Sequence, residues 1–254
     1  DAMIGLAQNG ALDGAADVAN DIIEGFSGGM DGVFSAHDWD NEYSESGEYA
    51  VSAEGISSLD IAWIAGGVDI TPYNGEVISF SETSREDLSA RSALRYGVED
   101  GTLYIQYCRS DANDLPAKEL TVLVPESLAS GLGELSVSSI SAAVDISGLE
   151  AGTARLSTIS GSVFYSGRAD ILYVSTISGG VRLAPDATPQ NILADTVSGN
   201  VELALSDEDW TLNFSTASGA FTSDFPGVSS SGGGKGPNDI HVSTTSGDLS
   251  LHRS

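Results

Sequence analysis

Ser157-Thr158-Ile159-Ser160-Gly161 indicates the fold of this chain most directly, because the chain repeats this motif. Four later copies follow it and one eroded copy precedes it. The later copies are Ser175–Gly179, Asp195–Gly199, Ser215–Gly219 and Ser243–Gly247, and the eroded copy is Ser138–Ala142. From one glycine to the next, the intervals are 18, 20, 20 and 28 residues. Self-similarity at such a period indicates stacked repeat units, each of which buries its apolar side against its neighbours.

Each repeat carries apolar residues at a spacing of two, which is the period of a β-strand. These residues lie five positions before the glycine and two positions after it. The first set is Leu156, Val174, Ala194, Phe214 and Val242, and the second set is Val163, Val181, Val201, Phe221 and Leu249. No unit shows the longer periodicity of a helix. The sequence therefore predicts an all-β fold in which each repeat is one coil of a parallel β-solenoid, with its glycine at the corner between two strands.

Two further positions are the same in all five good copies: threonine three residues before the glycine and serine one residue before it. The predicted structural repeat residues are Gly161, Gly179, Gly199, Gly219, Gly247, Thr158, Thr176, Thr196, Thr216 and Thr244. We expect the first four glycines to stack in sequence order, about 5 Å apart, and the threonines to face inward. Ile159, Ile177 and Val197 would then face outward, as a stripe that is either covered by another element or exposed as a contact patch.

The chain divides into two predicted parts. Residues 1–30 form the first part, where 11–26 has helical periodicity. This short N-terminal helix is expected to cap one end of the solenoid, or to tether it to an upstream anchor. Residues 31–254 form the solenoid domain, with the most regular coils at 135–254. In the N-terminal half of that domain, Glu99-Asp100-Gly101 is a hairpin signal, so some antiparallel strand pairing is expected there.

The composition is strongly acidic. The 254-residue chain has 10 Lys and Arg against 37 Asp and Glu, which gives a formal net charge of −27. This charge repels phosphates and anionic lipid surfaces, so no nucleic acid partner is expected. Cys108 is the only cysteine, which excludes a disulfide within the chain. The sequence has no apolar run long enough to span a membrane and begins at Asp1 without a leader, so we expect a mature or trimmed fragment with any signal or anchor upstream.

No motif of catalysis or metal binding is recognisable. His37, His241 and His252 lie in neither an HExxH motif nor a cysteine–histidine cluster, and no serine lies in a GxSxG elbow. Acidic residues alternate over 38–42 as in a calcium loop, but Tyr43 stands where an EF-hand needs glycine. The acidic residues of the repeats stand at differing offsets from their glycines, so they need not share a face. The sequence therefore predicts no catalytic site, no cofactor and no metal.

Several phrases of the chain resemble a known family. They are LSTISGSV, VSTISGGV, ADTVSGNV and VSTTSGDLSL, together with IAWIAGGVDI at 61–70 and YGVEDGTLYIQY at 96–107. Over roughly residues 45–254, the chain resembles the bacterial β-strand-repeat proteins of unknown function that are commonly labelled putative adhesins. The resemblance implies a β-solenoid fold and an envelope or cell-surface location, commonly with a membrane anchor elsewhere in the gene product. It implies no catalytic residues.

Two hypotheses for the function follow. The first is a non-enzymatic extracellular or cell-envelope module that acts by adhesin-like surface contact or by envelope sensing, with a surface protein, a peptide or a glycan as its partner. The alternative is a carbohydrate-active β-helix enzyme, either a polysaccharide lyase or a hydrolase. Such an enzyme needs paired carboxylates on neighbouring coils or a base near bound calcium. A carboxylate pair in a groove of carbohydrate size would therefore favour the alternative.

Overall fold

The computed structural model describes residues 39, 41, 43–109, 112 and 115–254. The predicted helix and the cap or tether over residues 1–30 lie outside the described residues. The described elements are one short helix, α1 (Glu126–Ala129), and the strands β1 (Glu48–Ser52), β2 (Ser58–Trp63), β3 (Gly66–Tyr73), β4 (Val77–Ser84), β5 (Arg95–Glu99), β6 (Thr102–Gln106), β7 (Lys118–Pro125), β8 (Leu132–Ser139), β9 (Ala143–Thr158), β10 (Val163–Thr176), β11 (Val181–Leu183), β12 (Asn191–Thr196), β13 (Val201–Leu205), β14 (Trp210–Thr216), β15 (Phe221–Ser223), β16 (Gly233–Gly234), β17 (Asn238–Thr244) and β18 (Leu249–Arg253).

The predicted all-β fold is confirmed for the described residues, whose strands pair into one 18-stranded sheet. The sheet is mixed rather than uniformly parallel. Its antiparallel pairs are β1–β4, β4–β7, β5–β6 and β14–β16. The predicted hairpin is the β5–β6 pair, and its turn residues Asp100 and Gly101 both have positive φ, as a two-residue hairpin turn requires. Antiparallel pairing is thus concentrated in the N-terminal half, as expected.

The parallel pairs arrange the repeat units in two rows of strands. Each unit contributes the strand before its corner to row A and the strand after its corner to row B. Along row A the hydrogen-bonded neighbours are β6, β2, β8, β9, β10, β12, β17 and β14. Along row B they are β7, β3, β9, β10, β11, β13, β18 and β15. Strands β9 and β10 are long enough to take part in both rows through their two halves.

The order of the units in space differs from their order in sequence at both ends of the rows. The β17–β18 unit lies between the β12–β13 unit and the β14–β15 unit. The expectation that Gly219 follows Gly199 is therefore wrong, because Gly247 does. The Ser/Gly-rich insertion 226–237 supplies chain length for the return path, and identical corner residues keep the register. In the same way, the β2–β3 unit lies between β6–β7 and β8–β9.

The apolar positions of the repeats form a single core. Leu156, Val163 and Val174 in the inner units are almost fully buried. Burying a side chain of this size stabilises a fold by about 1.5–3 kcal/mol, so the inner units contribute most of the stability. Phe214 and Phe221 of the β14–β15 unit are only partly buried. Their exposure follows from position, since this unit is the last in both rows of the described chain.

Candidate functional site

A glycine at the corner of each repeat unit approaches the backbone of the next unit. A Cβ atom built on Gly179 would overlap the carbonyl oxygen of Gly161, and one on Gly199 would overlap that of Gly179. Each corner glycine lies against the carbonyl oxygen of the corner residue before it in the series Ala142, Gly161, Gly179, Gly199, Gly247 and Gly219. None of these corner glycines has positive φ. Glycine is therefore required here for close approach between units and not for a left-handed turn.

The threonine of each corner accepts a hydrogen bond from the amide of its own glycine. After the end of β10, Gly179 N lies 2.9 Å from Thr176 Oγ1. The other pairs are Gly161–Thr158 at 2.9 Å, Gly199–Thr196 at 2.8 Å, Gly219–Thr216 at 2.7 Å and Gly247–Thr244 at 2.7 Å. The threonines are buried, apart from the half-buried Thr216 of the outermost unit. The eroded copy makes the same bond with a serine, since Ala142 N lies 2.8 Å from Ser139 Oγ.

Replacing Thr176 with valine is expected to lower the free energy of unfolding by about 1–2 kcal/mol, because it leaves the buried Gly179 amide without its acceptor. Thr245→Val is the matched control. Thr245 occupies the half-exposed position where Val197 stands in the neighbouring unit, so this change should cost less than about 0.5 kcal/mol. Urea denaturation, monitored by circular dichroism, measures the free energy of unfolding of both variants. Equal effects of the two substitutions would contradict the role assigned to the Thr176 hydroxyl.

An aliphatic stripe runs beside the buried threonines. Its members are Ile140, Ile159, Ile177 and Val197, and all of them are half-buried. Corner serines link adjacent units: Ser178 Oγ donates to Ile159 O at 3.4 Å, and Ser198 Oγ donates to Ile177 O at 3.2 Å. The stripe is thus held along the corner with part of its apolar surface exposed to solvent.

The outer face of row A carries aromatic and charged side chains in line. The outer line consists of Tyr104, Asp60, Ser136, Arg155 and Tyr173, which are paired directly from strand to strand. At one strand spacing per step, it extends for roughly 19 Å. The guanidinium carbon of Arg155 lies 4.5 Å from the ring centroid of Tyr173, and Arg155 Nε lies 2.9 Å from Glu134 Oε1. The charged side chains of this pair are 50% and 49% exposed, so their ion pair adds little to stability.

Asp60 has an unusual environment within the outer line. Burial, together with the nearby carboxylate of Glu134, raises the pKa of Asp60 from 3.8 to about 6. The group therefore holds a proton for part of the time in mildly acidic solution. In that state it is a hydrogen-bond donor on an otherwise acidic face.

Replacing Asp60 with asparagine is expected to stabilise the fold at pH 8 by on the order of 1–2 kcal/mol, with little effect below about pH 4. The folded chain binds this proton more tightly than the unfolded chain. The contribution of the Asp60 carboxyl to the free energy of unfolding therefore falls as the pH rises from about 4 to about 6, and it is constant above about pH 6. Asp239→Asn, at an exposed aspartate of the same row, is the control. Urea titrations over a pH series test this, and a stabilisation by Asp60→Asn that does not vary with pH would contradict it.

A concave region of about 450 Å³ lies on row B, where its lining includes Arg182, Glu202, Asp248 and His252. Glu202 Oε1 lies 3.6 Å from Arg182 Nε. Asp248 Oδ1 accepts a hydrogen bond from Ala220 N at 2.7 Å. Both carboxylates are thus engaged within the fold, and this region offers no observation that favours the carbohydrate-active enzyme.

A buried charged cluster, which the sequence analysis missed, lies at the N-terminal end of the rows. Lys118 occupies the corner position of the β6–β7 unit, paired with Gly66, and its side chain has no exposed surface. Lys118 Nζ donates to Glu82 Oε2 at 2.7 Å, to Ser92 O at 2.8 Å and to Tyr107 O. All three ammonium hydrogens are therefore used within the fold.

Aromatic rings and a backbone amide complete this cluster. Lys118 Nζ lies 4.1 Å from the ring centroid of Tyr107 and 4.9 Å from that of Trp63. Glu82 Oε1 accepts a hydrogen bond from Leu94 N at 2.8 Å. Burial lowers the pKa of Lys118, and the Glu82 carboxylate opposes that shift. A signal was present in the sequence, because Lys118 is one of only two lysines in the chain and lies two residues before the apolar run 120–124.

Over residues 39, 41, 43–109, 112 and 115–254, no group of three or more His, Cys, Asp or Glu side chains is placed to hold a metal ion. None of the helices within these residues has both the length and the apolar character needed to cross a membrane. Cys108, the single cysteine of the chain, is buried.

Comparison with protein families gives one match. The family model described as Toastrack DUF4097 matches residues 106–252, which is more than half of the chain. The matched region contains all five good copies of the repeat and begins in β6. Among curated proteins, none matches the chain.

Several solved structures are similar to the chain at low sequence identity. One is a putative cell adhesion protein from Clostridium sporogenes, with 14% identity and a TM-score of 0.40 over 82% of this chain and 99% of that chain. Another is a putative adhesin from Bacteroides fragilis, with 13% identity and a TM-score of 0.40 over 82% of this chain and 96% of that chain. Similarity at this level assigns no function to the chain.

Proposed function

The chain belongs to the Toastrack DUF4097 family, and we propose that it is a non-enzymatic β-solenoid of the bacterial cell envelope or cell surface. It acts through surface contact, in the manner of an adhesin or an envelope sensor. The solenoid interpretation is supported by the parallel, in-register pairing of successive units in both rows. The antiparallel strands are then additions at the ends of the solenoid.

The outer line is the structural feature that most directly supports this function. Tyrosine and arginine are enriched at the centres of protein interfaces, because each buries a large area and also makes polar contacts. Here Arg155 lies over the ring of Tyr173, and both side chains are accessible on the outer face of β9 and β10. A net charge of −27 repels anionic partners, so the expected partner is a surface protein, a peptide or a glycan with few acidic groups.

Binding of labelled protein to intact bacterial cells, and to purified envelope glycans, tests this proposal. The variant Arg155→Ala/Tyr173→Ala should weaken binding by about tenfold or more, because it removes the stacked pair at the centre of the face. The matched control is Arg182→Ala/Phe164→Ala, which removes an arginine–aromatic pair from row B, where the guanidinium carbon lies 5.9 Å from the ring centroid. Equal losses in the two variants would contradict a contact role for the outer line.

Two further measurements address location and catalysis. Externally added protease should cleave the full-length gene product on intact cells if it lies at the surface, and complete protection in both intact cells and spheroplasts would contradict an envelope location. Sustained production of reducing ends or unsaturated sugars from a panel of polysaccharides would contradict the non-enzymatic role. The control for that assay is the protein after heat denaturation.

A further inference from the structure

The outermost repeat unit at the C-terminal end leaves its strand edges unpaired within the described chain. β14 and β15 pair on one side with β17 and β18. On its other side, β14 pairs only at Thr211 and Leu212, with the two residues of β16. The remaining residues of β14, 213–216, and all of β15 present one open edge. We call residues 213–216 and 221–223 the C-terminal edge.

The C-terminal edge lies in a segment without charge. From Trp210 to Ser223 there is no Asp, Glu, Lys or Arg, although the chain as a whole carries 37 acidic residues. Over residues 210–237, the only charged residues are Asp224 and Lys235, and their opposite charges give this segment a net charge of zero. Soluble proteins ordinarily protect exposed strand edges with charged residues, proline or a covering element. An edge exposed only to water would be expected to carry charged residues, and this edge carries none.

Apolar side chains at this unit are also incompletely covered. Phe214 and Phe221 lie with their ring centroids 5.7 Å apart, and both are only partly buried. The residues paired with them in the next unit, Val242 and Leu249, are 0% and 1% exposed. One more layer of strands against the C-terminal edge would bury the two phenylalanines in the same way.

The opposite end of the rows is different. There the outer strand β5 is contacted by a further segment, since Asn41 Oδ1 accepts a hydrogen bond from Tyr96 N at 2.9 Å and Asn41 O accepts one from Arg95. The ring of Trp39 stacks on Tyr104 with 5.6 Å between centroids. Antiparallel strands and these contacts extend the N-terminal end beyond the parallel units, so the two ends are not equivalent.

We propose that the C-terminal edge binds the same edge of a second copy of this chain, in an antiparallel pairing about a twofold axis. The choice of a second copy rests on charge. Two chains of −27 repel each other over most of their surfaces, and the neutral segment 210–237 is where two copies can approach at the least electrostatic cost. A twofold axis perpendicular to the edge strands makes the two copies run antiparallel, so their unpaired backbone groups can bond to each other.

Analytical ultracentrifugation of the full chain over a wide concentration range tests the proposal. The wild-type protein should sediment as a monomer–dimer system. Raising the sodium chloride concentration should tighten the dimer, because salt screens the repulsion between the acidic bodies. A protein that stays monomeric at every concentration, that forms open-ended assemblies, or that dissociates with added salt would overturn the proposal.

A matched pair of variants locates the interface. Asn213→Lys/Thr222→Lys places two exposed lysines on the C-terminal edge, and His241→Lys/Ser250→Lys places the same charges at the paired positions one unit further in. Both variants lose the hydrogen bond between the Thr222 and Ser250 hydroxyls, so they differ mainly in position. The edge variant should dimerise at least about tenfold more weakly than wild type, and the inner variant should dimerise like wild type. Equal dimerisation constants for the two folded variants would overturn the proposal.

Discussion

Replacing Gly179 with alanine is expected to destabilise the protein by about 3 kcal/mol or more, enough to lower its yield or unfold part of it. The added Cβ would overlap the carbonyl oxygen of Gly161 in the adjacent unit. Because the overlapping atom belongs to the backbone, no side-chain rotation relieves the clash. Neighbouring units would have to move apart, and the hydrogen bonds between their corners would lengthen.

Gly180→Ala is the matched control for this prediction. A Cβ on Gly180 meets no atom within 4 Å, and this residue is exposed. Alanine there should be neutral or stabilise by up to about 0.5 kcal/mol, since it restricts the unfolded chain. Urea denaturation of the two single variants gives the comparison. If the two alanine substitutions cost the same, contact between the corners of adjacent units is not what requires glycine at position 179.

The residues that form the corners can be predicted from the sequence, because stacking places identical residues of successive units next to each other. Glycine, threonine and serine return at fixed offsets, and a spacing of two assigns them to strand faces. The inward orientation of Thr158 and the outward position of Ile159 follow from that alternation. The partial burial of Phe214 could not be predicted in the same way, because its sequence position matches that of a buried residue in the other units.

The order of the units cannot be predicted from the repeat itself. Since Thr196, Thr216 and Thr244 present the same corner group, each can pair with either of the others in register. The choice of neighbour then depends on the connecting segments and on the chemistry of the exposed edge. The long last interval indicates an insertion, but it does not indicate that the unit following it returns to an inner position.

The outer line and the buried lysine depend on contacts across long sequence separations. Asp60 meets Tyr104 and Ser136 only after the β2–β3 unit takes its place between later units. Lys118 and Glu82 are 36 residues apart and belong to strands that pair antiparallel outside the repeat pattern. Periodicity carries no information about such pairs, because each of them occurs only once in the chain.

Removing the charge of Lys118 alone is expected to be strongly destabilising. The variant Lys118→Met leaves the Glu82 carboxylate buried without its counter-ion, a change that typically costs about 3–5 kcal/mol. Arg155→Met breaks the exposed ion pair with Glu134 and is the matched control, with an expected cost below about 1 kcal/mol. Thermal and urea unfolding of the two variants under the same conditions measure the difference.

The double variant Lys118→Met/Glu82→Gln separates the cost of an unpaired charge from the cost of lost packing. Glutamine keeps an acceptor for the Leu94 amide, so the double variant should be more stable than Lys118→Met alone. If Lys118→Met and the double variant are equally stable, the stabilising role of Lys118 lies in its packing against Trp63 and Tyr107 and not in its charge.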